Sequence, residues 1–156
     1  MYTTYEFYVT RYFGNMIPED VFEKFCQRSC DEIDVITFDR LAEDFPTDER
    51  AAARVQRAVC ALAELFYRID AEDRKAEEST GIIHKEDGTV IGKQITAVSS
   101  GSESVHYAVG QGTTTSTITT AVKDVKSRRK LEYDTVREYL TGVKDNKGAL
   151  LLYAGL

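Results

Sequence analysis

Cysteine, histidine and positive charge are all scarce in this chain, and each shortage excludes something. The three cysteines, Cys26, Cys30 and Cys60, are odd in number and form no CxxC pair. That argues against a disulfide scaffold or a zinc ribbon and fits a reducing cytosol. The two histidines, His84 and His106, have no serine or cysteine nucleophile motif to serve, so a hydrolase triad has no support. With 20 basic against 26 acidic residues the net charge is −6, which argues against a surface built to neutralise nucleic-acid phosphates or anionic lipid. No stretch reaches the roughly 18 apolar residues of a membrane-spanning helix. The opening "MYTTYEFYVTRYFG" breaks its aromatics with Glu6 and Arg11, unlike a secretory signal. Neither a GxxxxGKS/T loop nor a GxGxxG after a strand is present, so no nucleotide cradle is expected. The expectation is a non-enzyme without cofactor or metal, free of the membrane and inside the cell.

What is present is ordinary globular material. The chain has 156 residues, 42% apolar and 29% charged, which suits one domain able to bury roughly two-thirds of its unfolded surface. "MIPEDVFEKFCQRSCDEIDVIT" places Pro18, Glu19 and Asp20 where a first helical turn accepts them. Phe22, Phe25 or Cys26, Ser29, Ile33 and Ile36 then recur on one helical face. "FPTDERAAARVQRAVCALAELFYRIDAEDRKAEE" opens on Thr47 as N-cap, followed by Asp48 and Glu49. Ala51, Val55, Ala58, Leu62, Leu65 or Phe66 and Ile69 form the longest apolar stripe, and its alanines allow close helix packing.

Beyond Glu78 the pattern changes to glycines at 81, 88, 92, 101, 110 and 112 with β-branched residues between them, which reads as hairpins. Asp87-Gly88 suits a type I′ turn, and a second pair of arms surrounds Ser99 to Ser102. From about Ser116, Ile118, Val122, Val125, Tyr133, Val136 and Leu140 return to helical spacing, ending near Thr141-Gly142. "KDNKG" is a turn. The fold class expected is mainly α: a small bundle of three to four helices (about 1–75 and 116–141), an inserted β-hairpin arm (about 80–110) and an extended C-terminal tail (142–156).

Three features carry candidate chemistry. Cys26 and Cys30 lie four apart on one helix and with His84 or His106 make the one metal candidate, against the simpler account of buried thiols packing a helix face. The segment "KDVKSRRK" (123–130) gathers Lys123, Lys126, Arg128, Arg129 and Lys130, either a phosphate contact or a solvated face pairing with acidic segments such as "AEDRKAEE" on an adjacent copy. The aromatics Tyr2, Tyr5, Phe7, Tyr8, Tyr12 and Phe13 read equally as core or as subunit interface.

Taken together, "YEFYVTRYFG" leading into "IPEDVFEKF", then "IDVITFDR", "VQRAVCALAELFYR", "KQITAVSSGSESVHYAV" and a last helix running into "EYLTG" and a leucine-tyrosine end resemble the head-tail connector (head-completion, adaptor) proteins of tailed bacteriophages. The likeness lies in the order of these segments over most of the chain. In that family the glycine after the last helix commonly leads almost directly into Leu-Leu-Tyr, whereas Val143 to Ala149 intervene here, and "IIHKEDGTVIG" lengthens the arm. The resemblance implies a structural virion protein of the neck, made in the host cytoplasm. It implies a ring of roughly a dozen copies bound to portal and to stopper or tail-completion proteins, with a channel through which the genome passes without sequence-specific binding. Interface candidates are then Leu150, Leu151, Leu152, Tyr153, Tyr5, Tyr8 and Tyr12, with inter-subunit charge contacts from Lys126, Arg128, Arg129 and Lys130. The rival is a small helical DNA-binding regulator using 123–130. Composition alone leaves "GALLLYAGL" either a strand of the chain's own core or a plug for a neighbour. The resemblance favours the neighbour, with "KDNKG" as a hinge and a monomer that keeps its helices when 149–156 are deleted.

Overall fold

In a computed structural model the described residues are 1–84, 90–94, 97–100, 103–106 and 117–152, with side chains described for 1–75, 117, 118, 120, 121 and 124–152. The fold is mainly α. Helix α1 (Tyr5–Thr10), capped by Thr4 through Phe7 N–H, leads into α2 (Glu19–Ile36), a short α3 (Arg40–Glu43) and the long α4 (Glu49–Ser79). Extended backbone follows, with β1 (Thr80–His84) antiparallel to β2 (Val90–Gln94) and β3 (Ala97–Ser100) antiparallel to β4 (Glu103–His106). Helices α5 (Thr117–Lys123) and α6 (Val125–Leu140) complete the helices among the described residues. The Asp87-Gly88 turn lies outside the described residues.

Helix α4 is the spine, with α2 packed along one side and α5 and α6 along another. Its apolar stripe explains this: Val55, Ala58, Leu62, Leu65, Phe66 and Ile69 are buried, with Val59, Cys60 and Ala63 between them. The stripe spans more than one helical face, so a partner is needed on each side. The buried face of α2 is Phe22, Phe25, Cys26, Ser29, Cys30 and Ile33, the face that its spacing predicts.

Four local expectations are corrected. Pro18 is the N-cap of α2 and not its first helical residue. Helix α4 is capped by Asp48, whose Oδ1 accepts the Ala51 N–H at 2.8 Å, while Thr47 is held elsewhere. The single helix expected from about 116 to 141 is broken at Asp124. Its carboxylate caps α6 by accepting Ser127 N–H at 2.8 Å and Ser127 Oγ–H at 2.6 Å, and these bonds hold its pKa below the usual range. The break rotates the stripe, so Val125 and Tyr133 are exposed while Glu132, Val136 and Leu140 are buried.

Candidate functional site

The C-terminal leucines divide their work. Gly142 and Gly148 adopt φ of +77° and +88°, left-handed values that glycine tolerates best, and they let the chain reverse twice after α6. Residues 143–151 form a small hairpin: Asp145 N–H donates to Ala149 O at 2.8 Å, Leu151 N–H to Val143 O at 2.9 Å, and Lys144 bridges Leu150 antiparallel. In an extended strand successive side chains alternate. Leu151 therefore points inward and is completely buried in a cluster that includes Leu140 and Val143, Leu150 is 40% exposed, and Leu152 packs partly against the core. Leu151 thus belongs to the chain's own core and offers no surface to a neighbour. Tyr153 lies outside the described residues.

The "KDNKG" turn is not built as a hinge. Asn146 Oδ1 accepts from Thr47 N–H (2.8 Å) and Thr47 Oγ1 (2.9 Å), and its Nδ2 donates to Asp44 Oδ1 (2.6 Å) and Phe45 O (3.0 Å). Arg40 Nη1 adds a 2.6 Å bond to Leu150 O. The tail is tied at its tip to the α3–α4 connection and at its return strand to the start of α3.

The tyrosines divide in the same way. Tyr8 is completely buried; its hydroxyl donates to Glu64 Oε1 at 2.8 Å and accepts N–H bonds from Met16 (2.9 Å) and Ile17 (3.1 Å). Burial pushes its pKa up to about 12, so it stays a phenol and joins α1, α4 and the 14–17 loop. A Cβ at residue 14 would overlap the Tyr8 ring, which accounts for Gly14. Tyr12 stacks on Tyr8 and reaches Glu64 Oε2 at 3.4 Å, and Tyr5 sets an edge against Phe22. Tyr8 is therefore core, while Tyr5 and Tyr12 keep partial exposure.

Helix α6 carries the basic segment. Arg128 Nε lies 3.0 Å from Oε1 of the buried Glu132, and is engaged within the chain. Lys126, Arg129 and Lys130 are exposed, and among the described residues they have no ion-pair partner. Across from them on α2, burial and then the nearby Glu132 charge raise the Glu32 pKa, against the lowering effect of Arg129 and Arg128. The acidic stretch of α4 partly neutralises itself, Asp70 pairing with Arg74 (2.7 Å) and Glu72 with Lys75 (3.0 Å).

The thiols lie together beneath the N-terminus. Cys26 Sγ–H points to Thr3 O at 3.8 Å, Thr3 Oγ1 lies 4.0 Å from Cys60 Sγ, and Tyr2 N–H donates to Cys30 Sγ at 3.4 Å. All three cysteines are free and buried, and burial pushes Cys60 up to about 12. Among the described residues no three His, Cys, Asp or Glu side chains gather as a metal set; the side chains of His84 and His106 lie outside them. Among the described residues no helix is long and apolar enough to cross a membrane.

Of two exposed aromatics on left-handed backbone, Phe13 belongs to the N-terminal aromatic group and Phe38 carries no sequence signal. Phe13, 80% exposed, and Phe38, 55% exposed, have φ of +60° and +58°. Phe38 stands where glycine usually ends a helix: its N–H bonds Val35 O at 3.2 Å, and Asp39 N–H bonds Asp34 O at 2.8 Å. A bulky side chain in this region costs about 1 kcal/mol or more.

No family model matches the chain, and neither a curated protein nor a solved structure is significantly similar to it.

Proposed function

We propose that this chain is a structural subunit of a tailed-phage head-tail connector. It works as a ring of roughly a dozen copies below the portal, joining head to tail around a channel for DNA. The observation that carries the contact-making part is the display of Phe13 and Phe38, 80% and 55% exposed at positive φ, because strained backbone persists where function repays it. The resemblance in segment order supplies the kind of assembly. In this reading residues 80–110 form an inserted β-hairpin arm that partners order. Leu150, Leu152, Tyr153, Tyr5 and Tyr12 contribute to contacts with neighbouring copies or the portal, and a stopper or tail-completion protein binds the other end. The subunit needs no cofactor, performs no turnover, and resides in the virion neck after assembly in the host cytoplasm. An acidic subunit repeated around a ring lets DNA slide where acids line the channel.

The second reading, a small DNA-binding regulator, is favoured by one observation: Lys126, Arg129 and Lys130 are exposed and have no ion-pair partner among the described residues. Negative-stain images and light scattering, with the chain alone and with a portal protein, separate the two. The connector reading expects large rings and weak duplex binding. A small dimer that binds duplex DNA with a steep salt dependence would refute it and establish the regulator.

A further inference from the structure

Among the described residues two helix faces carry charges without ion-pair partners, and they match each other. On α2 the outward face carries Asp20, Glu23, Gln27, Asp31 and Val35, spaced by three and four and all exposed, and shares it with the exposed Lys24 and Arg28. Three are acids, and among the described residues none of these acids has an ion-pair partner. On α6 the exposed line is Lys126, Lys130, Tyr133 and Arg137, again at helical spacing, with Arg129 on its flank. None of these four cations has an ion-pair partner among the described residues either. Asp20 to Asp31 and Lys126 to Arg137 each span about 17 Å of helix axis.

The apolar residues match as well. Val35, 68% exposed, lies just past the acidic line, with Phe38 beyond it, and Val125, 66% exposed, lies just before the basic line. If the two helices run antiparallel, Asp31 meets Lys126, Asp20 meets Arg137, and the exposed valines fall at the same end. A parallel arrangement pairs the charges but leaves Val35 and Val125 at opposite ends. The counter-charges are engaged or flanking: Lys24 is drawn to Asp70 at 3.8 Å, Arg28 lies over the Phe66 ring, Glu32 faces Arg129 within the chain, and Asp134 and Glu138 sit to one side of the basic line.

We infer that the outward face of α2 is the docking surface for the outward face of α6 on a second copy of this chain, antiparallel, with Val35, Phe38 and Val125 at the dry end. The inference rests on the self-assembling reading above and adds the two surfaces that meet. Because the faces differ, the contact joins unlike patches and propagates from copy to copy until a rotation closes it. Free DNA as the partner of the basic line is disfavoured by the net charge of −6, and the acidic line has no use in that arrangement.

The test is a charge exchange read by sedimentation velocity. Glu23→Lys with Asp31→Lys reverses one face, and Lys126→Glu with Lys130→Glu reverses the other; both spare the core and the caps. Each variant alone is expected to associate at least tenfold more weakly than the wild type, and an equimolar mixture of the two is expected to recover association. Wild-type assembly is expected to loosen as salt rises to about 0.5 M, since exposed pairs are screened. This second measurement stands even where a variant fails to fold. Assembly of either variant as strongly as the wild type, no recovery on mixing, or insensitivity to salt each overturns the contact. If a variant still forms wild-type rings, these faces are wrong while the ring reading survives; if the wild type forms no ring alone or with its portal partner, that reading fails too.

Discussion

Truncating Leu151 to alanine tests the division of labour within the leucine run. The side chain is completely buried in a cluster with Leu140 and Val143, and its N–H is bonded to Val143 O at 2.9 Å. Removing a buried leucine side chain beyond Cβ costs about 2–5 kcal/mol, the spread reflecting how far the surroundings close on the cavity. The hairpin is tied by Asn146 and Arg40, so collapse is restricted and about 3 kcal/mol is expected. For a chain of this size that lowers Tm by roughly 6–12 °C. Leu150→Ala is the internal control: with 40% exposure it loses less buried area, worth about 0.5–1 kcal/mol. Thermal and urea unfolding by far-UV circular dichroism, in dilute protein and high salt so that association does not shift the midpoint, gives both values. Equal costs for the two variants, or a Leu151→Ala cost below about 0.5 kcal/mol, would refute the placement of Leu151 in the core. The same reasoning reverses the expectation that residues 149–156 are dispensable to the monomer: their deletion removes Leu151 together with the Arg40 and Asp145 bonds, and should cost at least as much.

Three further outcomes follow from particular contacts. Gly14→Ala places a methyl group in the Tyr8 ring and should destabilise by about 1–3 kcal/mol; an unchanged urea midpoint would show that the 14–17 loop does not pack as described. Asn146→Ala removes four hydrogen bonds between the tail and residues 44–47 and should cost about 1–2 kcal/mol, with faster amide exchange in the 143–151 hairpin; equal exchange would make the clamp ornamental. Glu32 has a raised pKa from burial and the Glu132 charge, so the folded state binds its proton more tightly than the unfolded one, and this contribution to stability is lost as pH rises through the folded value. Glu32→Gln should therefore raise Tm at neutral pH, with the gain vanishing below the ordinary glutamate range; a gain that persists in acid would assign the effect to packing.

The N-terminal aromatics show where reading the sequence stops. Six of them lie within the first 13 residues, and nothing local ranks Tyr8 above Tyr5 or Tyr12. Glu64, 56 residues from Tyr8, is shared with Tyr12, and the ranking comes from the Met16 and Ile17 N–H groups, which bond the Tyr8 hydroxyl. The basic segment failed in a different way. Asp124-Val-Lys-Ser127 carries a capping residue three positions before its donor, a signal in plain view. The apolar spacing on either side ran through it and masked the break, along with the rotation that exposes Val125 and Tyr133.

What the sequence by itself determined is the part governed by near neighbours along the chain. Helices α2 and α4, their acidic first turns and their buried faces follow from three- and four-residue spacing, because side chains at those offsets share a face whatever surrounds them. What only the tertiary structure decided is the part governed by a choice among equivalents: which leucine of 150, 151 and 152 enters the core, which tyrosine is sealed, whether Thr47 or Asp48 caps α4. Three identical side chains in a row carry no preference for one face. The preference came from the register in which Leu150 meets Lys144, with its carbonyl held by Arg40, since a shift of one residue would turn Leu151 outward.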